Sequence, residues 1–519
     1  MTRPSRLLAL AAATTSVTVL AAAGPAAADT PTDTQAFRDA VTVEGMTEHL
    51  QALQAAADAH GSSRASGTPG YEASAQYVEE QLRSAGYQPE RQYFDFAFFQ
   101  EFSPGALSRT GPDQRTYVDQ TDFDVMDYSA TTFGDPIEGP VKAVADLQVP
   151  PGAEPNSSTA GCEAEDFAGD FTGTIALLQR GTCDFGVKVA NAAAAGAVGA
   201  IVVNEGQEGR TDVLLGTLGA PAAIPAVGAS YAVGEELHRL SQAGEVRVSI
   251  TTDTVSETRQ TFNVIAQTDT GRTDRVVVVG AHLDSVPEGP GINDNGTGSA
   301  AILEIAEQLA DVETRNAVRF AWWGAEESGL LGARHHVAQL DERGIADIAL
   351  NLNFDMLGSP NPARFVYDGD GSATGTAGPN GSGSIEAVFT EYFASQGLHT
   401  EETAFDGRSD YGPFIAVGIP AGGLFSGAEG VKTPEQAAPE RFGGVAGVAY
   451  DECYHQACDD IGNVDPTGLD QLADGAAHAV LTFARTSSAV NGTAQGGGGG
   501  AAASGGAAVS GGHDHGLAG

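Results

Sequence analysis

The sequence is short of positive charge. Only three lysines (Lys142, Lys188, Lys432) occur in 519 residues, so nearly all of the 26 basic side chains are arginine. Against 68 acids this leaves a formal net charge of −42. Such a surface repels phosphate backbones and anionic lipid, which argues against nucleic-acid or membrane-surface partners. Long apolar runs are missing as well. Beyond the N-terminus no stretch stays apolar for the ~18 residues a span needs. Cysteine is sparse at four, and neither local pair has the Cys-x-x-Cys spacing of a thiolate metal site. What is present is globular in character: 41% hydrophobic residues with 68 glycines and 24 prolines. At ~150 residues per domain the length predicts two to four domains.

The two ends read differently from the middle. Arg3 and Arg6 precede an apolar stretch, Leu7 to Leu20, and Ala26-Ala27-Ala28 offers a small-residue cleavage site. Residues 1–28 therefore read as a secretory signal peptide and the chain as an exported, extracellular protein. From Gln495 onward the composition is glycine, alanine and serine, too poor in apolar surface to fold. Residues 489–519 are read as a Gly/Ala-rich tail. In an exported chain four cysteines point to two disulfides, with three possible connectivities. Their positions favour the local pairs Cys162 with Cys183 and Cys453 with Cys458.

In between, texture marks the domains. Residues 29–130 open with helical patterns around Met46 to Ala59 and Tyr71 to Ala85, the second stopped by Gly86 as a C′ glycine. Strand-like aromatic sequence follows, Tyr93 to Phe102. Residues 131–255 alternate short strands with an alanine-rich helix, Gly186 to Ala195. The segment CEAEDFAGDFTGTIALLQRGTCDFGVKVANAAAAGAVGAIVVN resembles the protease-associated (PA) domain. That resemblance implies a small β-rich lid inserted within a peptidase. Residues 256–488 turn to strand–helix–strand, with a four-valine run, Val276 to Val279, ending in Gly-Ala-His-Leu-Asp. Such a run suits a strand buried on both faces. The fold class expected is α/β, a mostly parallel mixed sheet flanked by helices.

Ligands bind such sheets beyond the C-terminal strand ends, and the chemically unusual residues collect there. His282 and Asp284 follow the valine strand, and Asp294 lies in a glycine-rich turn. Glu326 and Glu327 follow the strand ending Trp322-Trp323, at what reads as a helix start, and Asp355 ends the strand Asn351-Leu-Asn-Phe. One such residue alone is usually a cap or a solvated loop. Several carboxylates held together would raise one another's pKa unless a cation neutralised them. Nitrogen and oxygen donors without thiolate point to zinc, less strongly to cobalt or manganese. A second imidazole is available in His455, between Cys453 and Cys458, where a short disulfide loop would fix its position.

The segments GAHLDSVPEGPGINDNGTGSAA, RFAWWGAEESGLLGA, LNFDMLGSPNP, FDGRSDYGPF and CYHQACD closely resemble secreted bacterial two-zinc aminopeptidases. These belong to the family of leucyl aminopeptidases and vacuolar aminopeptidase Y. A weaker match is RASGTPGYEASAQYVEEQLRSAGY. The resemblance implies that His282 and Asp355 bind one zinc, that Glu327 and His455 bind the other, and that Asp294 bridges the two. It makes Glu326 the general acid/base, Tyr454 the group polarising the scissile carbonyl, and Arg408 an arginine near the substrate. Asp284 is expected to orient His282. Asp470 and Asp474, spaced i, i+4, match positions that bind Ca2+ in some relatives; the plain alternative is two solvated helix carboxylates. The activity implied is removal of large apolar N-terminal residues from peptides or proteins by a monomeric enzyme. A carboxypeptidase or glutaminyl cyclase on the same fold is the alternative, and a non-catalytic binding module the remoter one. The last is disfavoured by the presence of all six acid and imidazole positions.

Overall fold

A computed structural model describes residues 33–491. The proposed signal peptide and most of the tail lie outside the described residues. The described residues from Thr34 onward form one compact unit.

Its centre is a run of parallel strands. Ala421–Phe425, Ile348–Asp355, Arg272–His282 and Asn316–Trp323 lie side by side in that order, all parallel. The valine run sits in the middle and is buried on both faces. Val277 and Val279 pack into a core with the helices Val43–Ala59, Pro69–Ser84, Gly298–Leu309 and Pro466–Arg485. Val276 and Val278 face the opposite way, against Val337 and Phe414 of the helices Leu331–Ala338 and Tyr411–Ala416. A strand covered by helices on both sides has no polar face, which is why its sequence does not alternate.

Local chemistry sets the helix ends. Thr42 and Thr68 each accept a backbone N–H at the start of Val43–Ala59 and Pro69–Ser84. Gly86, at φ +99°, terminates the second helix in the left-handed region. The Glu326–Glu327 pair departs from expectation: it lies in a turn, and helix begins only at Leu331. Ala325, Gly329 and Leu330 all have positive φ (54°, 103° and 61°), so the chain cannot enter an α-helix there.

The inserted region has its own parallel strands, Ile137–Ala143, Ile175–Gln179, Gly199–Val203 and Ala226–Ala229, with helices Phe185–Ala194 and Tyr231–Ala243. Both expected disulfides are present, Cys162–Cys183 here and Cys453–Cys458 at the far end of the chain. One strand joins this sheet to the central one. Arg247–Gln267 pairs with Ile137–Ala143 at its start and with Asn316–Trp323 at its end. Along its whole length it also pairs antiparallel with Glu90–Gly111. The boundary expected at residue 255 therefore falls inside a continuous strand.

Candidate metal and catalytic centre

Three strand ends and two loops meet over the C-terminal edge of the parallel strands. His282 is the last residue of Arg272–His282, and Asp355 the last of Ile348–Asp355. Asp294 occupies the turn before the helix Gly298–Leu309, Glu326 and Glu327 the turn after Trp323, and His455 the disulfide loop.

Asp294 organises the cluster. Its Oδ1 lies 3.2 Å from His282 Nε2, which is itself 3.4 Å from Asp355 Oδ1. Its Oδ2 lies 3.2 Å from His455 Nε2, which is 3.1 Å from Glu327 Oε2. The two carboxylate oxygens thus each face one imidazole–carboxylate pair. Donors bound to zinc at ~2.05 Å in a tetrahedron stand ~3.3 Å apart, the spacing found within each half. Asp355 Oδ1 and Glu327 Oε1 are buried without a hydrogen-bond partner. Carboxylates outnumber imidazoles, so the donor set fits divalent cations.

Electrostatics agree with that fit. Burial disfavours a charged His455, yet Glu327 and Asp294 override it and raise the imidazole to about 11. His282 is likewise pushed up, burial being outweighed by Glu326 and Asp355. Asp294 is held well below the usual carboxylate range by the two imidazoles, against its own burial. The cluster draws positive charge toward itself.

Each group is held from behind. Backbone N–H groups of Asn293 and Asp294 donate to the two oxygens of Asp459 at 2.8 and 2.9 Å. Asn295 ties the same turn to the neighbouring strand, accepting from Met356 N and donating to the Phe354 carbonyl. Ser409 Oγ donates to Asp355 Oδ2 at 2.6 Å, which leaves Oδ1 for the cluster. Asp284 meets His282 through its backbone. Its backbone carbonyl lies 3.0 Å from His282 Nδ1, while its carboxylate stands 3.8 Å away and accepts the Glu326 N–H. The fully buried Arg64 donates to the carbonyls of Leu283, Pro290 and Gly291, gripping the turn that carries Asp294.

Glu326 is buried, with Oε2 4.0 Å from His282 Nε2. Burial, then the neighbouring Asp410, Glu327 and Asp355, pushes its carboxyl well above the usual range. Tyr454 stacks on His455 with ring centroids 3.8 Å apart, and its hydroxyl accepts from Arg408 at 3.1 Å. Burial and the nearby Asp294 and Glu327 raise this phenol, so it stays a proton donor. Arg408 also pairs with Glu429 at 2.7 Å. Glu326, Tyr454 and Arg408 line a cleft together with the apolar side chains of Met356, Tyr367, Phe425 and Ala428.

Asp470 and Asp474 stand apart from this centre. Asp474 pairs with Arg38 at 3.2 Å and accepts from Tyr392, while Asp470 faces solvent. Neither joins a three-donor cluster among the described residues, so nothing in the arrangement supports calcium there. Ser409, Asp459 and Arg64 were not singled out from sequence. Their motifs were visible, but partners up to 227 residues distant were not.

Comparison with known proteins agrees with this geometry. Residues 263–480 match the model of peptidase family M28, and residues 142–237 match the PA domain. The chain is 46% identical to an aminopeptidase of Pseudomonas aeruginosa over 86% of its own length and 82% of the relative's. It is 42% identical to a probable lipoprotein aminopeptidase, LpqL, of Mycobacterium tuberculosis over 90% of each chain. With leucine aminopeptidase 2 of Trichophyton tonsurans the identity is 39%, over 87% of this chain and 86% of that one. Among solved structures, the aminopeptidase from Aneurinibacillus sp. strain AM-1 superposes with a TM-score of 0.63 at 27% identity, covering 87% of this chain and 96% of that one. A zinc aminopeptidase from Bacillus subtilis gives 0.55 at 25% identity, covering 86% and 96%. An imidazole–carboxylate cluster at the strand ends, a buried acid beside it and these relatives lead to one assignment: the chain belongs to peptidase family M28, as an aminopeptidase with an inserted PA domain.

Proposed function

We infer that this enzyme is an exported, monomeric, zinc-dependent aminopeptidase that removes large apolar residues from peptide or protein N-termini. The observation that carries the reading is Asp294, whose two oxygens each face a separate imidazole–carboxylate pair. His282, Asp355 and Asp294 would hold one Zn2+, and Glu327, His455 and Asp294 a second. Cations held there would supply Lewis acidity and lower the pKa of a nearby water toward neutrality. Glu326 sits beside that position, where its carboxylate would take a proton from the attacking water and pass it to the leaving amine. Tyr454 keeps its phenolic proton and directs it toward the developing oxyanion, while Arg408 holds the phenol oxygen from behind. The carboxylates on the cleft floor favour a free ammonium over a blocked N-terminus. Met356, Phe425 and Ala428 supply an apolar wall for the side chain, in keeping with the name of the Trichophyton relative.

Residues 1–28 are read as the exported leader, in keeping with the two disulfides. No helix among the described residues is long and apolar enough to cross a membrane. Glu326→Gln is the direct test. It should retain its zinc while hydrolysis of leucine p-nitroanilide falls by ~10²–10⁴-fold, the typical share of general acid/base catalysis. Near-normal turnover would remove Glu326 from its role, and cleavage of N-acetylated peptides alone would favour the carboxypeptidase reading.

A further inference from the structure

A second set of metal-ligand types lies away from the cleft. His49 of the helix Val43–Ala59 faces Glu304 and Glu307 of the helix Gly298–Leu309. His49 Nε2 is 3.4 Å from Glu304 Oε2 and 3.9 Å from Glu307 Oε1. The His49 and Glu304 side chains are each only 6% exposed. His49 Nε2 and Glu307 Oε1 are buried with no hydrogen-bond partner.

Three features make this more than a chance pairing of charges. The other ring nitrogen, Nδ1, is taken by Tyr77 Oη at 2.8 Å, the kind of outer partner that fixes a ligating imidazole and aims its second nitrogen. Glu304 and Glu307, one helical turn apart, aim their carboxylates at the same point although like charges repel. Residue 45 is glycine, and a Cβ there would collide with the Glu304 carboxylate, so its absence makes room for that group.

We propose that His49, Glu304 and Glu307 bind a structural zinc ion that clamps these two helices together. One imidazole and two carboxylates form a zinc-type donor set, whereas calcium prefers an all-oxygen shell of six or more. The donor spacings of 3.4 and 3.9 Å lie just above the ~3.3 Å edge of a zinc tetrahedron, so binding asks the donors to close by a few tenths of an ångström. The fourth position belongs to water, since Glu307 is the most exposed of the three at 25%. The clamp bears on the catalytic centre indirectly. Leu50 and Leu53, from the same helix as His49, pack against Gly296 in the turn that carries Asp294.

The test compares the full-length wild type with His49→Ala and Glu304→Gln after EDTA stripping and reloading in a Zn2+ buffer. Elemental analysis should find one zinc per chain fewer in each variant than in wild type. Because the readout is a difference, an error in the zinc count of the catalytic centre changes all three totals and leaves the difference intact. Anomalous scattering at the zinc edge from wild-type crystals should place a peak within bonding distance of His49 Nε2. Equal zinc in wild type and a folded variant overturns the proposal. If neither variant folds, the anomalous map of the wild type decides alone, and no peak there overturns it.

Discussion

Asp294 shows how much one side chain can be asked to do. Its oxygens face two imidazoles, and its backbone N–H is held by Asp459. The types of residue in the centre were legible because imidazole and carboxylates at strand ends are costly unless something neutralises them. What holds them was not legible. That Asp284 would use its carbonyl on His282 and its carboxylate on Glu326 is a matter of rotamer and backbone path, on which sequence is silent. A different imidazole yields a prediction about pH. His336 is buried among Trp323 and Phe414, and burial, with Arg319 and His335, lowers it to about 4. An unfolded chain restores ~6.5. The folded state thus prefers the neutral ring, and its contribution is complete above pH 6.5 and lost as pH falls through 4. The loss amounts to about 3 kcal/mol by pH 4. Thermal unfolding of wild type and His336→Gln at pH 7.5 and pH 4 should show the wild-type advantage shrinking on acidification. A constant gap would contradict it.

Between elements, the centre is held by contacts that cross most of the chain. The parallel strands were readable from the valine run and its flanking helical patterns, since burial on both faces leaves a compositional trace. The Glu326–Glu327 turn was not, because two glutamates after a strand suit a helix start equally well until the positive φ of Gly329 and Leu330 is known. Arg64 is the clearest of the crossing contacts. It enters from the segment before the helix Pro69–Ser84 and donates to three carbonyls around the Asp294 turn, with its guanidinium lowered to about 10 by burial. It remains charged near neutrality, with Asp459 and Asp284 close by. Arg64→Met should cost about 3–5 kcal/mol, since it strands buried carbonyls and carboxylates together. Calorimetry would register a fall in Tm, and reloaded enzyme should release zinc to a chelator faster than wild type. Unchanged stability would mean that the turn is fixed by Asp459 and Asn295 alone.

For the whole molecule, the scarcity of lysine becomes a statement about encounter rates. A net charge of −42 spreads a negative potential over the cleft mouth as well as the rest of the surface. Peptides such as Leu-Lys-Lys-Ala should show kcat/KM falling several-fold between 20 and 500 mM NaCl, and Leu-Glu-Glu-Ala should show the reverse. Parallel salt responses for the two would remove steering from the account. The presence of an insert was legible from texture, but its limits were not, because Arg247–Gln267 passes from one sheet to the other without a break in composition. That shared strand has a consequence for anyone trimming the protein. Excising residues 131–255 would take away the partner of Glu90–Gly111 from Gln100 onward. Eight paired residues between Gln100 and Gly111 would then lose their strand partner and lie open along an edge, ready to pair with another chain. The insert therefore supplies the partner that covers this strand edge of the enzyme.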